Sequence, residues 1–299
     1  MNHKLHQPVL LAEVIELLRI KQGAWYVDAT FGRGGHTEAI LQQGGKVIAL
    51  DVDQAAITYG QEYFAKQIQA QDLILFRENF DRLDQVTSKF KLKHQIDKIS
   101  GILFDFGTSV DQLKDKQRGF SFESDSELDM RMDDRLGVKA KDLLAALSGR
   151  ELSQMLWELG GEQKARAIAH AIINERAKQP ITTTRQLADL VSKFYGGRKG
   201  KLHPATKVFQ ALRIAVNSEL DSIQVALPLA FALLTKGGRI VTIAFHEGED
   251  RLVKHYFKKL IEDNSAAEVT QKPLQPSQAE LTENPRARSA KLRAIEKLT

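Results

Sequence analysis

An apolar run, Trp25-Tyr26-Val27-Asp28-Ala29, leads into Thr30-Phe31-Gly32-Arg33-Gly34-Gly35-His36 and then into a helical pattern. Glycine at a strand-to-helix turn lets the backbone approach a ligand closely, and the N–H groups at the helix start favour electron-rich atoms. The next apolar run, 46–50, is followed by Asp51. A carboxylate roughly twenty residues beyond such glycines can accept both hydroxyls of a ribose. Gly34, Gly35 and His36 together with Asp51 therefore predict a site for a nucleoside-containing cofactor. For the turn taken alone, a tight structural connection is the alternative.

Dinucleotides and S-adenosylmethionine share this geometry, and two features favour the latter. Asp28 stands before the glycines, where a carboxylate can hold the cationic amino group of a methionine moiety and would repel a pyrophosphate. A carboxylate capping the following turn is the other reading. The second feature is Leu234-Thr235-Lys236-Gly237-Gly238-Arg239-Ile240-Val241, a turn and strand late in the chain like that of class I methyltransferases. A fourth apolar run ends in Phe104-Asp105-Phe106-Gly107. In an open parallel sheet the carboxyl ends of the strands line the ligand crevice, which puts Asp105 at the cofactor's reacting end. An exocyclic amine on a base has its lone pair delocalised into the ring. Methyl transfer to it needs an oxygen acceptor to orient the N–H groups and take up charge. Asp105 could serve in that way or could only hold cofactor.

Further along, residues 193–213 hold six Lys or Arg and no acid, with Phe194, Tyr195 and Phe209 interleaved. Such a stretch can contact phosphates and stack on bases, or can be a solvated charged face. With the basic tail 284–293 it nominates Lys201, His203, Lys207, Arg213, Arg286 and Arg288 as RNA contacts. Asn217, Glu219 and His246, with Asp105, are the catalytic candidates that could orient a target base. No metal site is expected, because no histidine has a partner at metal-ligand spacing. The acidic run 123–134 reads as a surface loop.

The elements that must position these residues follow from hydrophobic period. Apolar runs at 25–29, 46–50, 73–77 and 99–105 alternate with helical patterns at 8–18, 37–43, 55–65 and 80–90, the signature of a parallel α/β sheet. Strand signals return at 239–245 and 289–295. Between 112 and 205 only helical segments appear, at 140–147, 149–159, 163–178 and 184–194. The expected architecture is a methyltransferase core built from 1–112 and 208–299, with 113–207 as a helical insertion forming an RNA-facing lobe. The segment 264–284 reads as a loop. The 299 residues are 42% hydrophobic and 27% charged, an ordinary globular composition. No apolar stretch nears the ~20 residues a membrane span needs, and the N-terminus lacks a signal-peptide core, so a cytoplasmic protein is expected. The net charge of +5 permits a polyanionic partner without demanding one. The absence of cysteine excludes disulfides and every thiolate mechanism.

Several motifs together resemble one family from end to end of the chain. They are Pro8-Val9-Leu10-Leu11, the block 26–36, Arg118-Gly119-Phe120-Ser121-Phe122 and Leu128-Asp129-Met130-Arg131-Met132-Asp133. They continue with His203-Pro204-Ala205-Thr206, Phe209-Gln210-Ala211, Val216-Asn217-Ser218-Glu219-Leu220, Phe245-His246, Glu249-Asp250-Arg251 and 284–290. The sequence resembles the bacterial RsmH (MraW) methyltransferases. The resemblance implies a class I, Rossmann-like α/β fold with an inserted all-helical domain. It also implies methylation by S-adenosylmethionine of the exocyclic amino nitrogen of a cytosine in the decoding region of 16S rRNA, with the small ribosomal subunit as partner and homodimerisation left open. By the same resemblance, cofactor contacts fall on Gly34, Gly35, His36, Asp51, Phe80, Asp105 and Gln112. The chain departs from the family's pattern at Thr108-Ser109-Val110-Asp111 after Asp105, at Glu247-Gly248 after His246, in the acidic loop 123–127 and in a short segment between Phe257 and Pro276. These departures bear on substrate positioning more than on cofactor binding. They leave open an RNA methyltransferase with another target, or a cofactor-binding ribosome-assembly factor without catalysis.

Overall fold

A computed structural model describes residues 8–94, 99–123, 125–196 and 203–299. The chain forms two compact units, one from Met1–Gly107 with Leu220–Thr299, the other from Thr108–Glu219. Among the described residues the first holds seven strands, β1 (Trp25–Asp28), β2 (Lys46–Asp51), β3 (Leu73–Arg77), β4 (Ile99–Asp105), β5 (Leu234–Ala244), β6 (Ala266–Glu268) and β7 (Lys291–Lys297). Their spatial order is β3-β2-β1-β4-β5-β7-β6, and β1 to β5 run parallel. The last two strands pair antiparallel, β7 on β5 and β6 on β7. Because the chain steps outward from β1 to β3 and then returns to β4 on the other side, the carboxyl ends of β1 and β4 flank the switch point where such sheets bind ligands.

The chain's helices are α1 (Leu11–Leu18), α2 (Gly35–Gln42), α3 (Gln54–Tyr63), α4 (Ala65–Gln69), α5 (Leu83–His94), α6 (Val110–Lys114), α7 (Ala140–Ala146), α8 (Gly149–Glu158), α9 (Ala165–Arg176), α10 (Thr184–Lys193), α11 (Thr206–Asn217), α12 (Glu219–Leu233), α13 (Glu247–Glu262) and α14 (Gln278–Glu283). Strand residues point alternately to opposite faces, and both faces here are covered. Val27, Ile48, Leu50, Ile102, Phe104 and Ile240 bury against Leu83 and Val86 of α5, Ile223 and Leu227 of α12 and Val253 and Phe257 of α13. On the other face Tyr26, Val47, Ala49, Leu103, Val241 and Ile243 meet Val14 and Leu18 of α1 and Ile40 of α2. Uninterrupted apolar strands are the consequence, which is why these runs were legible in the sequence.

The second unit is helical and has its own core, built from Leu144, Leu152, Leu156, Ile168, Ile172, Leu187, Val191, Val208, Leu212 and others. The acidic run 123–134 is knitted into it by internal pairing: Asp129 with Arg131 at 2.7 Å, Asp133 with Arg135 at 2.7 Å, and Glu127 with Lys139 at 2.9 Å. Among the described residues no helix is long and apolar enough to cross a membrane.

Several expectations need correction. The expected boundaries after 112 and 207 shift to 107 and 219, because Val208, Phe209, Ala211, Leu212 and Val216 of α11 bury in the helical core and not against the sheet. The helices α11, α12 and α13 fall in stretches that were read for charge and motif, and α12 is apolar nearly all round with Pro228 inside it, so no stripe announced it. The expected loop 264–284 contains β6 and α14, of three and six residues, too short to show a period. Strand β5 begins at Leu234 instead of 239, and β7 spans Lys291–Lys297 instead of 289–295.

Gly119 shows how tightly the second unit is folded on itself. Its φ is +71°, and a Cβ there would collide with the carbonyl oxygen of Glu127 and lie 2.8 Å from the nitrogen of Asp129. Gly119→Ala should therefore lower stability by about 2–4 kcal/mol, read from the urea midpoint. Gly137→Ala, where a Cβ meets open space, should stay within ~0.5 kcal/mol of the parent.

Candidate active site

Three carboxylates sit at three strand ends, Asp28 on β1, Asp51 on β2 and Asp105 on β4. The register fixes them there: Asp28 lies beside Ala49 and Leu103, Asp51 beside Arg77, and Asp105 beside Ile243. The glycine turn passes over them. Gly32 N–H donates to Asp51 Oδ2 at 2.8 Å and Asp53 N–H to Asp51 Oδ1 at 2.9 Å. Each oxygen keeps a lone pair for a further donor, as binding a diol requires. Burial pushes the Asp51 carboxyl up to about 6, against the pull of those two N–H groups.

Gly34 and Gly35 are demanded by packing as well as by ligand approach. Gly34 has a φ of +72°, and a Cβ would lie 2.6–2.8 Å from the rings of Phe64 and Phe31. At Gly35, the first residue of α2, a Cβ would overlap the ring of Pro8. The side chain of His36 turns away from solvent, 5% exposed, with Nε2 3.1 Å from the Val9 carbonyl and Nδ1 3.9 Å from Asp105 Oδ2.

Asp28 is 1% exposed and caps the turn. Its Oδ1 accepts from Thr30 N–H at 3.2 Å and its Oδ2 from the Thr37 hydroxyl at 2.7 Å, so the capping reading is the one realised in these contacts. Burial raises its pKa to about 6, opposed by both bonds. Asp105 is anchored through its N–H, which donates to Thr30 Oγ1 at 2.7 Å. Its Oδ1 is buried without a hydrogen-bond partner among the described residues. Burial, then the nearby charges of Asp28 and Glu249, hold its carboxyl well above the usual range. Perturbed acids gathered at the mouth of an α/β sheet mark a functional site. Thr30 and Thr37 organise two of these acids and were missed in the sequence. The signal was there in hydroxyls two and nine residues after Asp28, the spacing of a turn and of a first helical turn.

Phe80, after β3, packs edge-on against Phe104 at 5.8 Å, in the same unit as the carboxylates. His246 caps α13, accepting from Glu249 N–H through Nδ1 at 3.4 Å, while Glu249 Oε2 accepts from Phe245 and His246 N–H. Asp250 pairs with Arg293 at 2.7 Å and Lys291 at 3.2 Å, tying α13 to β7.

The other nominated residues belong to the second unit. Gln112 closes a capping box with Ser109 at the start of α6. Asn217 is engaged structurally: its Oδ1 accepts from Met132 N–H at 2.7 Å and its amide donates to the Met130 and Arg213 carbonyls, both at 2.8 Å. Arg213 grips Glu219 through two bonds of 2.7 and 2.8 Å. His203 stacks on Phe122 with centroids 4.2 Å apart, and Lys207 Nζ donates to the Gly161 carbonyl at 2.9 Å. Lys201 lies outside the described residues. Arg286 and Arg288, on a short 3-10 helix of the first unit, are exposed.

The raised Asp28 pKa has a consequence for stability. Across the interval from 3.8 to about 6 the folded chain holds a proton the unfolded chain has lost, so this contribution is full below that interval and disappears as pH rises through it. Asn can replace both contacts, accepting from Thr30 N–H and donating to Thr37 Oγ1. Asp28→Asn should therefore remove a pH-dependent loss of roughly 2–3 kcal/mol between pH 4 and 7, measured by urea denaturation without cofactor.

Comparison with known proteins places the chain in a family. The model of the MraW methylase family matches residues 3–298. The chain is 42% identical to the ribosomal RNA small subunit methyltransferase H of Thermomicrobium roseum, covering 98% of this chain and 94% of that protein. It is 43% identical to the protein of the same name in Azorhizobium caulinodans, covering 98% and 87%. A solved rRNA methylase from Streptococcus thermophilus superposes with a TM-score of 0.44 at 13% identity, over 97% of this chain and 94% of that one. With a family match across the whole described core and relatives above 40% identity, the chain belongs to the MraW methylase family.

Proposed function

We propose that this protein is an S-adenosylmethionine-dependent methyltransferase that methylates the exocyclic amino nitrogen of a cytosine in the decoding region of 16S rRNA. The observation that carries the reading is the set of buried carboxylates around the glycine turn, with Asp105 Oδ1 left without a partner. Asp51 would take the ribose hydroxyls, the N–H groups opening α2 at Gly35 and His36 the electron-rich end of the cofactor, and Phe80 the adenine. S-Adenosylmethionine, when bound, supplies an electrophilic methyl group on a sulfonium. The electrostatics suit a cation, since the charge of Asp28 raises the pKa of both Asp51 and Asp105.

Asp105 would accept a hydrogen bond from the target amine and turn its lone pair out of conjugation with the ring. The substrate particle is inferred to be the small ribosomal subunit and the compartment the cytoplasm. Exposed Arg286 and Arg288, with His203 and Lys207, are the nominated RNA contacts.

The test is transfer of a labelled methyl group to small subunits lacking the modification, followed by mass-spectrometric mapping of the product nucleotide. Methyl on a cytosine amino nitrogen of the decoding region is expected. Cofactor binding without transfer to any RNA would favour an assembly factor instead. In an active enzyme Asp105→Asn should lower kcat by about 10²–10⁴ while cofactor affinity changes far less.

A further inference from the structure

The side chain of His36 has no role in the reading above, where only its backbone is used. It is buried, and its two ring nitrogens face different groups, Nε2 the Val9 carbonyl at 3.1 Å and Nδ1 the Asp105 carboxylate at 3.9 Å. A carbonyl can only accept, so Nε2 must carry a proton, and the tautomer is fixed by the chain itself. Any second proton on this ring must sit on Nδ1, directed at Asp105.

The other charged groups around Asp105 are acids. Asp28 from β1 and Glu249 from α13 both act on it, and both disfavour its ionised form. An acid in that setting would stay protonated and could not take a proton from an amine. The basic group beside it is the imidazole of His36, with Nδ1 3.9 Å from Asp105 Oδ2.

We propose that His36 is a positioning residue that holds a proton on Nδ1 and so keeps Asp105 ionised, leaving Asp105 Oδ1 as the acceptor of the proton that the target amine must lose. This rests on the methyltransferase reading. The S–CH3 bond breaks with its electron pair left on sulfur, and the amine lone pair forms the N–CH3 bond. The N–H proton passes to Asp105 Oδ1 and then to water once product leaves. The His36 proton stays on the ring throughout, so no further acid or base is required.

Two substitutions separate the proton from the packing. In His36→Gln the side-chain amide reaches the position of Nε2 and can keep the bond to Val9, but nothing titrates beside Asp105. In His36→Asn the amide takes the place of Nδ1, giving Asp105 a neutral donor without the tie to Val9. The first readout needs neither cofactor nor activity. The imidazole of His36, assigned by its absence in His36→Gln, is titrated by NMR in the intact protein and in Asp105→Asn. Loss of the carboxylate should lower the His36 pKa by about one unit or more, the size expected for removing an opposite charge within 4–6 Å. An unchanged titration overturns the pairing. The second readout is the pH profile of methyl transfer. In His36→Gln the acidic limb of kcat should move to higher pH by about one unit, with His36→Asn intermediate. An unmoved limb overturns the proposal even if the rate falls. Should the parent enzyme methylate no RNA at all, the functional reading fails and the NMR result alone decides whether the pair exists.

Discussion

The structure depends on one electrostatic constraint: strand ends in a parallel sheet bring like charges together. Asp28, Asp51 and Asp105 arrive at one end of the sheet because β1, β2 and β4 are parallel neighbours with in-phase register. Withdrawing carboxylates from water, Asp28 fully and Asp51 and Asp105 in part, is unfavourable unless donors meet them. The chain meets Asp28 with the Thr30 N–H and the Thr37 hydroxyl, and Asp51 with the N–H groups of Gly32 and Asp53. The compensation is incomplete, as the raised pKa values of all three acids show. A site left with excess negative potential is stabilised by a cation, and the sulfonium of the family's cofactor is one.

The apolar frame explains why the site tolerates that strain. Phe104 and Phe106 flank Asp105 on the chain, and both pack with Phe80 and the helices of one face. The Phe31 and Phe64 rings lie directly beneath the glycine turn at 5.9 Å from each other, leaving no room for a Cβ at Gly34. Close-packed interiors have low compressibility, so the carboxylates cannot drift apart to relieve their repulsion. Fold stability thus holds the acids in the geometry that the chemistry needs.

How much of this was legible in the sequence varied with the range of the interaction. Strands β1 to β4 were readable because uninterrupted apolar runs admit few alternatives, and the glycine turn with Asp51 was readable because its spacing is local. The Thr30 and Thr37 contacts of Asp28 were not legible in detail, since which donors surround a carboxylate depends on Thr37 one element later. Asn217, Glu219 and Arg213 looked chemical because they are polar and clustered. Their partners, Met130, Met132 and each other, are set by the folding of the segment 118–139 against α11, which no local pattern reveals. Polar residues in a motif can thus be conspicuous for reasons of architecture.

The missing cysteine sharpens what remains. A methyl group can reach cytosine at ring carbon 5 only after a nucleophile, ordinarily a cysteine thiolate, has added to the ring and made that carbon electron-rich. This chain has no cysteine to do so. A cytosine-directed member must then transfer in one displacement to an atom that already owns a lone pair, and the exocyclic nitrogen owns one that is conjugated and weakly basic. All of the activation falls on an acceptor for its N–H groups, held ionised in a site already crowded with acids. We propose Asp105 for that task, from its place at the end of β4 and an Oδ1 that is unpartnered among the described residues. The charge state it needs is the harder requirement, and it is why a buried imidazole 3.9 Å away matters more than the number of carboxylates around it.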